Sequence, residues 1–268
     1  MSEDALGVLA HTRVEVAGIP FAATTREHAA AALIEAAAGT RAQGVPIRLA
    51  NAYCLAVASR DPLYRSVLLG PGINLPDGAP VAFVMRRKVR GRPLVRAEQV
   101  RGPSLFEAVL DRGRPAGLRH FLVGGTAEGL ARLVRTAEER LPGTAVVGTF
   151  APPFGPFGPD EVDETVRRAR ATAADLVWVS LGTPKQDFAV VDLCTRLPLP
   201  VIGVGAAFDF FSGVVPEAPH LLRRSGLEWL FRLWKEPRRL WRRYLFGNLR
   251  FLGAVVRAEA RPSGHRRG

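Results

Sequence analysis

The chain has 268 residues, 47% of them hydrophobic, which is enough for the core of one large domain, and its two distant cysteines, Cys54 and Cys194, exclude a disulfide framework and a zinc site. No signal-peptide pattern opens the sequence and no apolar run approaches the roughly 18 to 20 residues that span a bilayer, so we expect a cytoplasmic protein. The net charge of +12 comes mostly from residues 221–268, which contain 13 basic and 3 acidic residues, and the preceding body is nearly neutral.

Short apolar runs alternate with segments of helical spacing along most of the chain. In chain order the spacing predicts a helix in TREHAAAALIEAAAG, a strand in VPIRLAN, helical structure in AYCLAVASRDPLYRSVLL, a strand in GLRHFLVGG, a helix in TAEGLARLVRTAEER, a strand in TAVVGTF, a helix in PDEVDETVRRARATAA, and strands in ADLVWVSLG and PLPVIGVGAAF. The APPFGPFGP segment is too rich in Pro and Gly for either element and is predicted to be a loop. This alternation predicts an α/β fold, a mostly parallel sheet with helices on both faces.

Candidate ligand-binding residues follow the predicted strands, because ligands of such folds bind beyond the carboxyl ends of the strands. Asn51 ends one strand, and Gly124 and Gly125 separate another from a helix start. Backbone N–H groups there would hold a phosphate, or the two glycines form a plain tight turn. The segment lacks both the full dinucleotide-binding pattern and the phosphate-loop lysine.

The SLGTPKQD segment places several hydrogen-bond donors after the strand LVWVS. Gly182, Thr183, Lys185 and Gln186 suit a uracil edge, a ribose or a diphosphate. The alternative is a proline-containing loop that only leaves the sheet.

Two carboxylates stand out among apolar neighbours. Asp209 lies among Phe208, Phe210 and Phe211, where it is either a catalytic group or a helix-start cap, and it needs partners if buried. Asp77 lies in LPDG, which is good β-turn sequence. At the mouth of a pocket, Asp77 would instead serve as a general base.

The basic C-terminal region carries an amphipathic pattern. Leu227, Leu230, Phe231 and Trp234 recur at helical spacing, and after a break at Pro237 most of that spacing is repeated by a second set, Trp241, Tyr244, Leu245 and Asn248. Aromatic residues beside arginines suit the interface of an anionic bilayer. The alternatives are a helix packed on the protein's own body and a nucleic-acid patch; no nucleic-acid motif accompanies the pattern.

Seven segments in this order resemble the WecG/TagA/CpsF family of bacterial glycosyltransferases: NAYCLAVASRDPLYRSVLL, NLPDGAPV, VRGPSLF, FLVGG, SLGTPKQD, GVGAAFDFFSG and GLEWLFRLWKEPRRLWRRYL. The resemblance implies a Rossmann-like domain over residues 1–219, a helical membrane-associating appendage over 220–256 and a basic flexible tail over 257–268. It implies an inverting transferase without a metal or other cofactor. Such an enzyme moves N-acetylmannosamine or a related sugar from a UDP-sugar to a polyprenyl-diphosphate-linked acceptor at the cytoplasmic membrane face.

The resemblance also implies roles for single residues. Asp77 corresponds to the family's proposed general base, Asn51 to a pocket residue, and Gln186 with its GTPKQ neighbours to a donor-binding segment. Arginines of the appendage would neutralise the leaving diphosphate; in this chain we assign that role to Arg232, Arg239 and Arg242. The expected partners are therefore a UDP-sugar, a lipid-linked glycan and an anionic membrane, with no nucleic acid, and the number of subunits stays open.

Two departures from the family pattern concern the sugar pocket. The family commonly has Thr-Ala-Asn where this chain has Leu49 before Ala-Asn51, and it often has Arg where this chain has Gln99. Arg101 or Arg96 would supply the missing cation. The two departures do not affect the predicted reaction class. They leave the donor sugar open among N-acetylmannosamine, a different hexose and a uronic acid.

Two other function classes compete with this hypothesis. A nucleic-acid-binding α/β protein would use the basic tail and bind in a salt-sensitive way. A nicotinamide-dependent oxidoreductase is suggested only by the Gly124-Gly125 turn, without the fuller glycine pattern or an acidic ribose ligand.

Overall fold

A computed structural model describes residues 5–39, 43–217, 231 and 237–260. Its centre is a six-stranded, fully parallel sheet in the order β4-β3-β8-β7-β5-β6, and a separate antiparallel hairpin, β1-β2, precedes it. The strands are β1 (Arg13–Val16), β2 (Ile19–Ala22), β3 (Val45–Ala50), β4 (Ile73–Pro76), β5 (Arg119–Gly124), β6 (Ala145–Phe150), β7 (Leu176–Ser180) and β8 (Pro200–Gly203).

Helices cover both faces of this sheet, as the alternating sequence pattern predicts. They are α1 (Ala5–His11), α2 (Arg26–Ala38), α3 (Ala52–Ala58), α4 (Pro62–Leu69), α5 (Ala79–Lys88), α6 (Gly102–Arg112), α7 (Ala127–Arg140), α8 (Pro159–Ala171), α9 (Lys185–Cys194), α10 (Ala207–Phe211) and α11 (Pro237–Glu259). Successive strand residues point to opposite faces. Ile47 and Leu49 therefore join the core with α2 and α6, whereas Ala50 joins the core with α3, α5 and α11.

The predicted α/β class and the parallel sheet are confirmed, and two elements differ from the prediction. The AYCLAVASRDPLYRSVLL segment forms two helices, because Asp61 caps a new helix that has Pro62 in its first turn. Leu75 and Pro76 of the LPDG segment belong to β4, and Gly78 begins α5 as its N-cap. The β-turn interpretation of LPDG is therefore wrong, since the segment connects a strand to a helix.

The C-terminal helix α11 packs partly on the protein's own body. Phe251, Ala254 and Val255 are buried in one cluster with residues of α3 and α5, while Leu249, Leu252 and Val256 are exposed on the same helix. The second set of residues at helical spacing lies in α11, and Asn248 of this set is half-buried. The side chains of residues 241–246 are outside the described part of the chain, as are residues 218–230 and 232–236. The helix ends at Glu259, three residues beyond the predicted appendage boundary.

Candidate functional site

Asn51 and Asp77 lie side by side at the carboxyl edge of the sheet. Each follows the last residue of one of two paired strands, Ala50 of β3 and Pro76 of β4, which are opposite each other in the parallel register. The Asp77 backbone N–H donates to the Ala50 carbonyl at 3.0 Å. Gly78 has a φ of 92°, and a Cβ built on it would lie 3.5 Å from the Asn51 Cβ. The corner thus fits closely against Asn51 through a glycine in a conformation that L side chains rarely adopt.

The GTPKQ segment reaches the same place through Cys54. Asn51 caps α3, and its Oδ1 accepts hydrogen bonds from the backbone N–H of Tyr53 at 3.0 Å and of Cys54 at 3.3 Å. The Cys54 Sγ lies 3.5 Å from that same Oδ1 and 3.6 Å from the Thr183 Oγ1. Burial raises the pKa of the Cys54 thiol to about 11, so it stays protonated at neutral pH. The fold therefore joins Asp77, Asn51 and Thr183 in one continuous group.

Gln186 holds the strand ends beneath this group. Its side chain is 1% exposed, and its Oε1 accepts the Gly205 N–H at 3.0 Å. The Ser180 hydroxyl donates to the Gly205 carbonyl at 2.5 Å, which ties the ends of β7 and β8 together. The predicted contact of Gln186 with a donor remains a prediction; the hydrogen bond shown here positions the backbone after β8.

Lys185 is joined to the APPFGPFGP segment, which forms a loop as predicted. Its Nζ donates to the Gly155 carbonyl at 2.8 Å. Phe154, in the same loop, has a fully exposed side chain. Lys185 thus fixes this loop beside the candidate site.

Gly124 and Gly125 lie farther along the same edge. Gly124 ends β5, four strands from β4 in the sheet order, which corresponds to roughly 19 Å from the Asp77 corner at the usual strand spacing. Gly124 has a φ of 119°, and a Cβ there would lie 2.2 Å from the Ser180 carbonyl oxygen. The two glycines precede α7, which Thr126 caps as predicted. Their part in holding a phosphate remains a prediction.

The residues that depart from the family pattern converge on this edge. Gln99 is half-buried, and the next residue, Val100, donates its N–H to the Pro76 carbonyl at 2.8 Å. Leu49 is 4% exposed, and a Cβ on Gly102 would lie 3.7 Å from its Cδ2. Both departures therefore adjoin the ends of β3 and β4.

Arg101 is largely buried and already has hydrogen-bond acceptors. Its guanidinium contacts the Ser104 Oγ at 3.0 Å and the Glu217 Oε1 at 3.4 Å. Arg96, the other candidate for the missing cation, is exposed. A substrate that binds Arg101 has to share or replace Glu217.

For Asp209, one of the two sequence interpretations, the helix-start cap, is wrong. It is exposed, whereas Phe208, Phe210 and Phe211 are buried, so it is not a buried carboxylate among aromatic rings. It lies in the first turn of α10, whose N-cap residue is Ala206, so it is not the cap either. Its role as a catalytic or ligand-binding group remains a prediction.

The predicted appendage arginines cannot be located in the site. Arg232 lies outside the described residues. Arg239 and Arg242 belong to α11, and their side chains are outside the described part. Their role at a diphosphate stays a prediction.

A buried polar network below the edge is absent from the sequence prediction. The Tyr64 hydroxyl donates to the Asp187 Oδ2 at 2.6 Å, and both side chains are at most 1% exposed. On the same face of the sheet, the Arg48 Nε donates to the Asn74 Oδ1 at 2.9 Å. Burial raises the pKa of Asp187 to about 6, and burial also lowers the pKa of Arg48. The available sequence signals were an arginine within the strand VPIRLAN and the last residue of GTPKQD.

Two features of the described part of the chain bear on the expected chemistry. Within the described ranges, no three His, Cys, Asp or Glu side chains are grouped as a metal site would require. Likewise, none of the helices in that part of the chain is long and apolar enough to cross a membrane. Independence from metals and cofactors remains a prediction.

Comparison with known proteins agrees with the resemblance noted in the sequence. The model of a family described as the glycosyl transferase WecG/TagA/CpsF family matches residues 14–265. A protein of Bacillus spizizenii, named N-acetylglucosaminyldiphosphoundecaprenol N-acetyl-beta-D-mannosaminyltransferase, is 32% identical over 209 residues, which cover 76% of this chain and 77% of that protein.

Proposed function

The chain belongs to the WecG/TagA/CpsF family of glycosyl transferases, and from this premise we propose that it moves a sugar from a UDP-sugar to a polyprenyl-diphosphate-linked acceptor in the synthesis of a cell-surface polymer. One observation carries the proposal: the Asp77 corner and the GTPKQ segment meet at one edge of the sheet around Asn51. The name of the Bacillus relative supports a lipid-linked acceptor.

Asp77 is the general base in this proposal. Its carboxylate takes the proton from the acceptor hydroxyl as that oxygen attacks the anomeric carbon, and the bond from that carbon to the departing UDP breaks on the opposite face. This displacement inverts the anomeric configuration. Asp77 is half-buried at the end of β4, and its backbone N–H bond to Ala50 fixes the position of its Cα. A positioned base of this kind typically contributes roughly 10² to 10⁴ in rate.

The donor lies along the carboxyl edge from β4 toward β5. The reacting sugar is beside Asn51 and Thr183, which the Cys54 thiol connects. The nucleotide extends toward Ser180 and Gly124, where the start of α7 supplies backbone N–H groups and a favourable helix dipole. The spacing of roughly 19 Å between the two ends suits an extended nucleotide sugar rather than a single small ligand.

If no metal ion neutralises the leaving diphosphate, cationic side chains have to do so. Lys185 and the arginines of the C-terminal region supply them in this proposal. Because α11 packs on α3, which Asn51 caps, the C-terminal region is attached directly beside the site. Peripheral binding to the inner face of the cell membrane would bring the lipid-linked acceptor to this edge.

Leu49 and Gln99 set the donor specificity in this proposal. Both lie at the strand ends next to Asp77, and both replace residues that the family commonly has there. Leu49 offers no hydroxyl and Gln99 no charge, so the donor sugar is N-acetylmannosamine, a different hexose or a uronic acid. The finer identity of the sugar follows from measured transfer.

A transfer assay tests the proposal. The full-length protein is incubated with a short-chain polyprenyl-diphosphate N-acetylglucosamine acceptor and a panel of radiolabelled UDP-sugars, with and without a chelator. We expect product with one UDP-sugar, with inverted configuration at the new linkage and the same rate in chelator. Absence of transfer from every UDP-sugar, together with no thermal stabilisation by UDP, would contradict the proposal.

A further inference from the structure

A basic segment in the body begins almost directly after the Asp77 corner. Residues 85–96 read MRRKVRGRPLVR and contain six basic and no acidic residues. They comprise the last turn of α5 and the loop that follows, and all six basic side chains are exposed. This segment is separate from the C-terminal region that carries most of the net charge.

Among the described residues, most of the positive charge of this segment has no carboxylate partner. Lys88 lies 3.6 Å from the Glu259 Oε1, but across the described ranges the five arginines make no ion pair with a carboxylate. Other exposed arginines of the body do make such pairs, for example Arg119 with Asp175, Arg140 with Glu107, and Arg167 with Glu164. A cluster of like charges without counterions from the protein creates a field that attracts a polyanionic surface.

Large apolar side chains are exposed among these charges. Leu94, next to Pro93 in the loop, is 95% exposed, and Phe83 of α5 is 59% exposed. Exposed apolar groups beside arginines suit the headgroup region of an anionic bilayer, where the apolar group enters and the charges stay at the surface. A single-stranded nucleic acid would instead favour a row of aromatic platforms, whereas Phe83 is the single aromatic residue in positions 83–96.

Both ends of the segment are attached to the candidate catalytic corner. Helix α5 starts at Ala79, two residues after Asp77, and the returning chain donates the Val100 N–H to the Pro76 carbonyl. The segment also borders α11, because Val89 is buried in the same cluster as Val255. The same helix α11 exposes three large apolar side chains, Leu249, Leu252 and Val256.

We propose that residues 86–96 form a second membrane contact, which binds an anionic bilayer beside α11 and holds the Asp77 corner at the lipid surface. The benefit to catalysis rests on the proposed function, since only a lipid-linked acceptor requires this placement. The contact itself is a physical property of the surface and is measured without turnover.

Vesicle binding by the full-length protein tests the contact. An Arg90→Gln, Arg92→Gln variant is compared with an Arg132→Gln, Arg135→Gln variant, which loses the same charge from the exposed face of α7. Each arginine near an anionic surface contributes roughly fivefold in partitioning, so the first variant should bind phosphatidylglycerol-containing vesicles about 25-fold more weakly. The second should stay within about twofold of the unmodified protein. A dye attached through Leu94→Cys should report a less polar environment on vesicle addition.

Three outcomes would overturn the contact. They are equal binding by the two variants, no change at the dye, and an affinity for phosphatidylcholine vesicles or for an oligonucleotide that equals the affinity for phosphatidylglycerol-containing vesicles. Transfer to a water-soluble short-chain acceptor separates this inference from the proposed function. We expect the Arg90→Gln, Arg92→Gln variant to keep that transfer while it loses transfer to acceptor embedded in vesicles. If the unmodified protein binds vesicles through this segment but transfers no sugar, the proposed function fails and the contact stands.

Discussion

The Tyr64–Asp187 hydrogen bond offers a quantitative test of how the GTPKQ segment is held. A Tyr64→Phe substitution removes the donor and keeps the ring, and Asp187 loses a hydrogen bond at a position that is 1% exposed. The pKa of Asp187 is about 6, so the carboxylate is ionised at pH 7.5. Hydrogen bonds to charged groups contribute roughly 1.5–3 kcal/mol, and we therefore expect unfolding to cost about 2 kcal/mol less.

The pH dependence of this loss follows from the raised pKa. A carboxyl whose folded pKa exceeds its unfolded value favours folding when protonated, and this contribution is lost as the pH rises through the folded pKa near 6. Loss of the Tyr64 donor raises that pKa further, so the difference between variant and unmodified protein should shrink to about 1 kcal/mol below pH 5.

Urea unfolding at pH 7.5 and pH 4.8 measures both effects. With an m-value of about 3 kcal/mol/M, the midpoint should fall by about 0.7 M at the higher pH. Ser66→Ala is the matched control, because it removes an exposed hydroxyl from the same helix, and its effect should stay within about 0.5 kcal/mol. Equal midpoints for Tyr64→Phe and the unmodified protein, or a loss of stability that does not depend on pH, would contradict the assigned role of the Tyr64–Asp187 hydrogen bond.

Two further predictions concern the loops along the same edge. Gly124→Ala should reduce the free energy of unfolding by about 3 kcal/mol, because its Cβ would meet the Ser180 carbonyl oxygen at 2.2 Å, whereas Gly125→Ala meets nothing within 4 Å and should cost about 1 kcal/mol for its φ of 68° alone. Similar urea midpoints for the two variants would contradict this distinction. Lys185→Met removes the hydrogen bond to Gly155, and chymotrypsin should then cleave after the exposed Phe154 about fivefold faster. An unchanged cleavage rate would mean that Lys185 does not restrain the loop.

Much of the fold could be predicted because the chain alternates clear strand and helix signals. The strand that precedes Asn51 and the strand that ends at Gly124 are short apolar runs bounded by polar or glycine residues, and Thr126 gives a local cap signal. By contrast, β4 has four residues and ends in proline, so its sequence resembles a turn. Only its pairing with β3 distinguishes the two interpretations.

The residues at the strand ends of the candidate site could be predicted from the sequence, whereas the long-range contacts between them could not. Thr183 and Asn51 were both expected at the carboxyl edge, but the thiol of Cys54 between them follows from packing that no local pattern reveals. The exposure of Asp209 could not be predicted, because aromatic neighbours in sequence do not determine which face of a short helix is buried. Gln186 shows the same limit, since a polar residue in a binding motif is almost fully buried here.

The structure also changes how the C-terminal region can be tested. Removal of the chain after about residue 219 would take away Phe251 and Val255, which are part of the core, along with any membrane-binding surface. Substitution of exposed side chains separates the two effects.

The most direct test of Asp77 as the general base is the turnover of an Asp77→Asn variant with the donor identified by the transfer assay. We expect turnover to fall by about 10² to 10⁴ while the affinity for UDP, measured by calorimetry, stays nearly unchanged. Asp160→Asn, on the exposed start of α8, controls for loss of a surface carboxylate and should keep full turnover. Full turnover in the Asp77→Asn variant would show that Asp77 is not the general base.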